Sequence, residues 1–230
     1  MPDTTPEMIL STSGLDVSIA GTPILRGAHM DIAPGTTVGL IGRNGAGKTT
    51  FMRSVMGLLP VTVGQIAIAG EDMSDQPAHM RAALGVGYMP EDRRLIPEFS
   101  VEDNILLPVQ ALGAAVDMKR LEWIYELMPE IARFADRKAL ALSGGQQKLV
   151  ALGRALIVGH KLLLLDEPFE GVAPALAQRL IEVIASLRGE GLSVLLSESD
   201  HVHSAGLLDA LYVIERGEIE PMTAEAAETH

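Results

Sequence analysis

The run Gly42-Arg-Asn-Gly-Ala-Gly-Lys-Thr-Thr50 constrains this chain more than any other part of it. It fills the template G-x-x-x-x-G-K-[ST] at every defined position, with Gly42, Gly47, Lys48 and Thr49. Before it, Thr37-Val-Gly-Leu-Ile41 reads as a short buried strand. After it, Lys48 to Gly57 has helical spacing in Phe51, Met52, Val55 and Met56. Between a strand and a helix, glycines let successive backbone N–H groups turn inward around an anion, and the helix N-terminus adds its partial positive charge. Gly42, Asn44, Gly45, Ala46, Gly47, Lys48, Thr49 and Thr50 are therefore the candidate phosphate cradle. Lys48 is placed to reach the β and γ phosphates of a nucleotide, and the Thr49 hydroxyl to hold Mg²⁺. A glycine-rich turn that only joined strand to helix would give Lys48 and Thr49 no reason to stand at those offsets.

Composition narrows the partners. With 230 residues, 47% of them hydrophobic and 21% charged, the chain is expected to be one globular domain, 1–230. A net charge of −12 argues against nucleic acid or anionic lipid as the main partner. The absence of cysteine removes disulfide and thiolate chemistry. Residues 1–7 are polar and slightly acidic, unlike a signal peptide. No apolar run approaches the roughly 18 residues of a membrane span; the richest, Ala155 to Leu165, is broken by His160 and Lys161. The expectation is a cytoplasmic protein with no transmembrane segment of its own.

Along the chain, Val17–Ile19, Met30–Ile32, Val38–Ile41, residues 65–69 and Leu84–Met89 read as strands. Residues 99–135 change character: Val101–Leu107 and Met118–Met128 have helical periodicity, with Pro108 and Pro129 as expected stops. This segment is the expected helical insert. Gly145–Val158 and Ala175–Arg188 read as helices, Leu162–Leu165 and Ser193–Leu196 as buried strands, and Leu211–Ile214 with Glu218–Ile219 as a hairpin around Gly217. Residues 222–230 are expected to be loose. Alternation of strand and helix after residue 37 implies a mostly parallel sheet with helices on its faces.

Two further motifs belong with the glycine loop. Leu162-Leu-Leu-Leu-Leu-Asp166-Glu167-Pro168 is a central strand ending in two carboxylates, and such strands present ligands at their carboxyl ends. Asp166 is placed to contact Mg²⁺, and Glu167 to polarise a water for in-line attack on a γ-phosphate. Leu142-Ser143-Gly144-Gly145-Gln146-Gln147 begins a helix and makes a second anion site from exposed N–H groups. A plain N-cap accounts for Ser143 but not for the paired glycines and glutamines.

In this order, GRNGAGKTT, LSGGQQ and LLLLDEP resemble the ATP-binding cassette of ABC transporters, over nearly the whole chain from Leu15 to Ile219. The resemblance implies an α/β fold: a phosphate-loop NTPase core with a mostly parallel sheet, an N-terminal antiparallel β subdomain and an α-helical insert. It implies ATP and Mg²⁺ as ligands and a second cassette, identical or not, as partner. Each ATP would then lie between Lys48 and Glu167 of one subunit and Ser143, Gly144, Gly145 and Gln146 of the other. Integral-membrane permease subunits would be the other partners, placing the chain on the cytoplasmic face of the membrane. Within the family, Tyr88-Met-Pro-Glu91-Asp-Arg-Arg94 and Glu167-Pro-Phe-Glu-Gly-Val-Ala-Pro174 are similar to the ATPases of branched-chain amino acid importers, and to urea or amide importers.

The sequence departs from the family pattern at four places. The adenine-stacking aromatic is replaced by Ile19. Glu91 stands at the position of a Gln that senses Mg²⁺ and water, which makes it a further candidate metal ligand. Ser199 occupies the position of the switch His, where a hydroxyl can donate to a γ-phosphate oxygen but cannot carry positive charge. Ala173 stands where a loop Asp is common. His201 and His203, two apart, do not share a helix face as a zinc pair would; His201 is a possible substitute for the switch. Arg93 and Arg94 are either a solvated pair or a surface that faces a permease. The leading expectation is thus an importer ATPase, whose solute is chosen by the permease and a binding protein. Two alternatives stay open: a regulatory cassette of weak ATPase activity paired to an active one, and a cassette working outside transport.

Overall fold

The computed structural model describes residues 7–199, 204 and 206–222. The chain opens with β1 (Leu10–Ile19) and β2 (Thr22–Ile32). Ala20 and Gly21 between them both have positive φ, which gives the turn a twist matching two right-twisted strands and sets Ile19 opposite Thr22. Next come β3 (Thr37–Ile41), α1 (Lys48–Val55), β4 (Val63–Ile68) and the short β5 (Glu71–Asp72). β1 pairs antiparallel with β2 and β4, forming a four-stranded sheet in the order β2-β1-β4-β5.

The following helix, α2 (Ala78–Leu84), is absent from the sequence reading, and it shortens the strand expected over Leu84–Met89 to β6 (Val86–Met89). Leu84 is the last helical residue and Gly85, at φ 103, is the left-handed cap that turns the chain directly into the strand. The helical insert consists of α3 (Val101–Ala111), α4 (Met118–Leu127) and α5 (Pro129–Ala132). Pro108 does not stop α3 as expected; it lies inside the helix. Its missing N–H forfeits a single backbone bond, and the helix continues because Ile105, Leu106 and Val109 are buried against its neighbours. Pro129 does end α4, standing at the first position of α5, where its N–H would have no partner anyway.

The chain is completed by α6 (Gly144–Val158), β7 (Leu162–Asp166), α7 (Pro174–Leu187), β8 (Ser193–Glu198), β9 (Ala210–Glu215) and β10 (Glu218–Pro221). The second sheet has six strands in the order β10-β9-β3-β8-β7-β6, parallel except for β10. The closing hairpin turns at Arg216 and Gly217, both left-handed.

The leucines of β7 show why this strand reads as an unbroken apolar run. Leu163 and Leu165 pack with α3, α6 and α7 on one face. Leu162 and Leu164 pack on the other with Phe51, Met52 and Val55 of α1 and with the antiparallel sheet. A strand covered on both faces has no polar side to alternate with, and each of these fully buried side chains contributes about 1.5–3 kcal/mol. The parallel register (Ile41 beside Glu198, Asp166 beside Ser197, Met89 beside Leu165) brings the carboxyl ends of β3, β6, β7 and β8 to one edge. The segments that follow these strands therefore meet in one crevice. Among the described residues no helix is long and apolar enough to cross a membrane. His201, His203 and residues 223–230 lie outside the described residues.

Candidate functional site

The glycine loop runs from the end of β3 into α1. Gly45 and Gly47 have φ of 83 and 119, and Gly47 is the N-cap, with no side chain to satisfy the first helical N–H groups. Gly42 is required sterically, since a Cβ there would lie 2.4 Å from the carbonyl oxygen of Ile214. The Lys48 ammonium folds back into the loop. It donates to the carbonyls of Gly42 and Arg43 and lies 3.0 Å from Oε1 of Glu167. Both partners of this ion pair are nearly buried, at 5% and 8% exposure.

Glu167 follows directly on β7 and has left-handed backbone at φ 49, which is uncommon for a residue with a side chain. Its N–H donates to the carbonyl and to the hydroxyl of Ser197, each at 3.2 Å. Ser199 Oγ lies 3.2 Å from Oε1 of Glu167 and 2.9 Å from the side-chain amide of Asn44, placing the switch position beside the catalytic candidate. Asp166 is fully buried and accepts from Ser197 at 2.8 Å, Tyr88 at 3.1 Å and Thr49 at 3.2 Å. Burial, and then the Asp166 charge, push the Tyr88 phenol far above its ordinary range, so it remains a donor.

Thr49 and Asp166 thus present adjacent hard oxygens. That fits Mg²⁺, which takes one or two protein ligands and completes its shell with phosphate and water. Among the described residues there is no group of three or more His, Asp or Glu that would form an all-protein metal cage. Glu91 also faces this space. Burial, then the nearby carboxylates of Glu170, Asp166 and Glu167, hold its own carboxyl above the usual range.

An open cavity of about 440 Å³ is walled by Asn44, Gly45 and residues 47–50 of the loop, together with Ile24, Glu91, Glu167 and Glu170, while Gly42 and Ala46 stand outside its wall. Ile19 is not part of this wall; it stands 41% exposed beside the turn of the first hairpin. Ile24, the apolar residue that does line the cavity, is missed by sequence reasoning, because only the fold of the β subdomain over the loop brings it there. Tyr88 and Ser197 are missed as Asp166 partners for a similar reason, since strand register unites them.

Ser143 caps α6 in a reciprocal capping box with Gln146. Ser143, Gly144, Gly145 and Gln146 line a second cavity of about 780 Å³, shared with the loop after β7 from Glu170 to Ala173 and adjoining the first at Glu91 and Glu170, which line both. The four signature residues do not line the cavity of the glycine loop. Arg93 and Arg94, both left-handed, are pinned to α6: Arg154 donates to both of their carbonyls, and Arg93 donates to the carbonyl of Gly144.

The ABC transporter family matches residues 25–170, from the antiparallel sheet through the loop beyond Glu167. The chain belongs to the ABC transporter family. As a cassette of that family it is an ATP hydrolase, and its fold is the phosphate-loop α/β fold of such cassettes. An uncharacterised ABC transporter ATP-binding protein of Rhizobium meliloti is 36% identical over 91% of this cassette and 78% of its own length. The lipopolysaccharide export system ATP-binding protein LptB of Escherichia coli K12 is 33% identical over 91% and 88%. A crystal structure of a nucleotide-free ABC transporter cassette superposes with a TM-score of 0.84 at 26% identity, covering 96% of this chain and 94% of that one. A cassette in its ADP conformation gives 0.81 at 26% identity, covering 93% and 89%. The relatives do not single out the branched-chain amino acid importers.

Proposed function

We propose that this cassette energises transport of a small solute, a branched-chain or related amino acid or an amide, through separate integral-membrane permease subunits on whose cytoplasmic face it sits. One observation carries the dimeric part of the reading. The signature residues Ser143–Gln146 and the triad of Lys48, Thr49 and Glu167 stand on one chain but line different cavities. A second cassette, related by a two-fold axis, supplies the missing half to each site.

In that assembly the glycine loop and Lys48 hold the phosphates, and Ile24, with Ile19 nearby, offers apolar surface to the base. Ser143 and the N–H groups of Gly144, Gly145 and Gln146 close on the γ-phosphate from the partner subunit. Mg²⁺, held through Thr49 and Asp166 with Glu91 facing the same space, would neutralise phosphate charge. Glu167 orients and deprotonates the attacking water, and Ser199 donates to it or to the γ-phosphate.

The solute class is supported by the segment from Tyr88 to Arg94, with its Pro-Glu and paired arginines. The likeness to LptB favours a second reading, export of a lipopolysaccharide. Ile19, Glu91 and Ser199 favour a third, a weakly hydrolysing regulatory cassette. Co-purification with the membrane proteins it captures, followed by ATPase assays, separates them. Stimulation by a binding protein loaded with amino acid supports the first, and stimulation by lipopolysaccharide replaces it with the second. Turnover only after addition of a different cassette selects the third.

A further inference from the structure

Lys148 is a buried cation on α6, 5% exposed, that sequence reasoning does not use. Its ammonium donates to the carbonyls of Glu167 at 3.0 Å, Pro168 at 3.0 Å and Glu170 at 2.6 Å. No carboxylate forms an ion pair with it among the described residues. Burying an ammonium with no direct ion pair, only the more distant charges of Glu170, Glu167 and Glu91 opposing its desolvation, is costly, and a position needing only packing would take Leu or Met. What the charge provides is geometry. Three carbonyl dipoles pointing at one centre repel one another, and a cation at that centre holds them together. The segment it gathers is the one that starts at Glu167, whose left-handed backbone needs support from its surroundings. The N–H side of Glu167 is held by Ser197 and the C=O side by Lys148, leaving the carboxylate 3.0 Å from Lys48.

The same helix begins at the signature residues. Five positions separate Ser143, the cap of α6, from Lys148, so the helix rigidly joins the surface offered to the partner's nucleotide to the backbone of its own Glu167. We propose that Lys148 is a positioning residue for Glu167, tying the placement of that carboxylate to the signature helix of the same subunit. The proposal rests on the reading of Glu167 as the water-activating base.

The test is a cycle of ATP hydrolysis rates on full-length protein: wild type, Lys148→Met, Glu167→Gln and the double variant, each checked for a cooperative thermal transition. Expected for Lys148→Met is a fall in kcat of about 10- to 100-fold, the scale of a small misplacement of a reacting group. Its affinity for a fluorescent ATP analogue stays within about twofold, because the glycine loop is untouched. In the Glu167→Gln background the same change lowers the residual rate no further, since the group it positions is gone. Lys148→Arg, which keeps donors for the carbonyls, restores part of kcat. If Lys148→Met does not fold, Lys148→Gln takes its place in the cycle. An unchanged kcat overturns the proposal, and so does an equal fold-loss in both backgrounds, the mark of a general structural effect. Wild-type turnover by Glu167→Gln would instead refute the role given to Glu167.

Discussion

The ion pair between Lys48 and Glu167 makes a two-sided prediction for Glu167→Gln. In this structure the ammonium is satisfied by a carboxylate at 3.0 Å and by two loop carbonyls. A γ-phosphate must displace that carboxylate and then share the cavity with it. At this 3.0 Å separation the gross attraction is about 5.5 kcal/mol for an effective dielectric of about 20. Desolvation of two nearly buried charges offsets most of it, leaving the roughly 1.5–3 kcal/mol typical of a charged hydrogen bond. Gln is close in shape, releases the competition and removes a negative charge beside the phosphate. Binding of ATP should therefore tighten by about ten- to a hundredfold at 1.4 kcal/mol per decade. Turnover should fall by about 10²–10⁴, the usual worth of a general base. Equilibrium titration of a fluorescent ATP analogue, at protein concentrations where the cassette is monomeric, gives the first number, and phosphate release gives the second. Unchanged or weakened binding by folded Glu167→Gln would refute the competition argued from this geometry.

Three further outcomes test other links. Ile19→Tyr should bind ATP about tenfold more tightly if that position reaches adenine, since base stacking is worth about 1–3 kcal/mol; equal affinity in the same titration would leave Ile24 as the only apolar contact among the two. Gly87→Ala would set a Cβ 2.1 Å from the carbonyl oxygen of Ala155 where β6 meets α6. The clash should cost about 3 kcal/mol and lower Tm by roughly 6–12 °C, whereas an unchanged melting curve would contradict this packing. The hydrogen bond from Arg179 holds the Glu130 carboxyl below its usual range against the opposing effect of burial. A depressed carboxyl adds stability above the unfolded pKa and loses it as pH falls through the folded one. Arg179→Met should then melt below wild type at neutral pH, by the few degrees that about 1 kcal/mol represents. The difference should shrink as pH falls below the ordinary Glu value of 4.5, and a pH-independent difference would rule out this pair as its source.

What the sequence shows of this molecule is what local chemistry dictates. The glycine loop is legible because Gly45 and Gly47 answer to left-handed backbone within one turn, and β7 because burial on both faces leaves no polar alternation. The Ser143 cap and Gln146 form a box within four residues and are equally local. The remainder depends on contacts between distant segments. Ser197 reaches Asp166 through parallel register, Tyr88 through the neighbouring strand, and Lys148 reaches the chain after Glu167 across two elements. Ile24 enters the cavity only when the antiparallel sheet folds over the loop. Pro108 reads as a stop because the packing that carries α3 past it lies elsewhere in the chain. On the proposed reading the solute is chosen by other subunits, and Glu91, Arg93 and Arg94 point to it only by resemblance.

The central claim is that each ATP site is shared between two chains, and mixing two inactive variants tests it most directly. Glu167→Gln lacks the base and Ser143→Arg blocks the signature surface, so neither should release phosphate at an appreciable rate alone. In a mixed dimer one site joins an intact Glu167 to an intact Ser143, while the other carries both lesions. With random two-fold pairing, half of the dimers each have one working site, and phosphate release should recover to about a quarter of the wild-type rate. If each site were complete within its own chain, the mixture would stay as inactive as its components, and the shared site would be disproved.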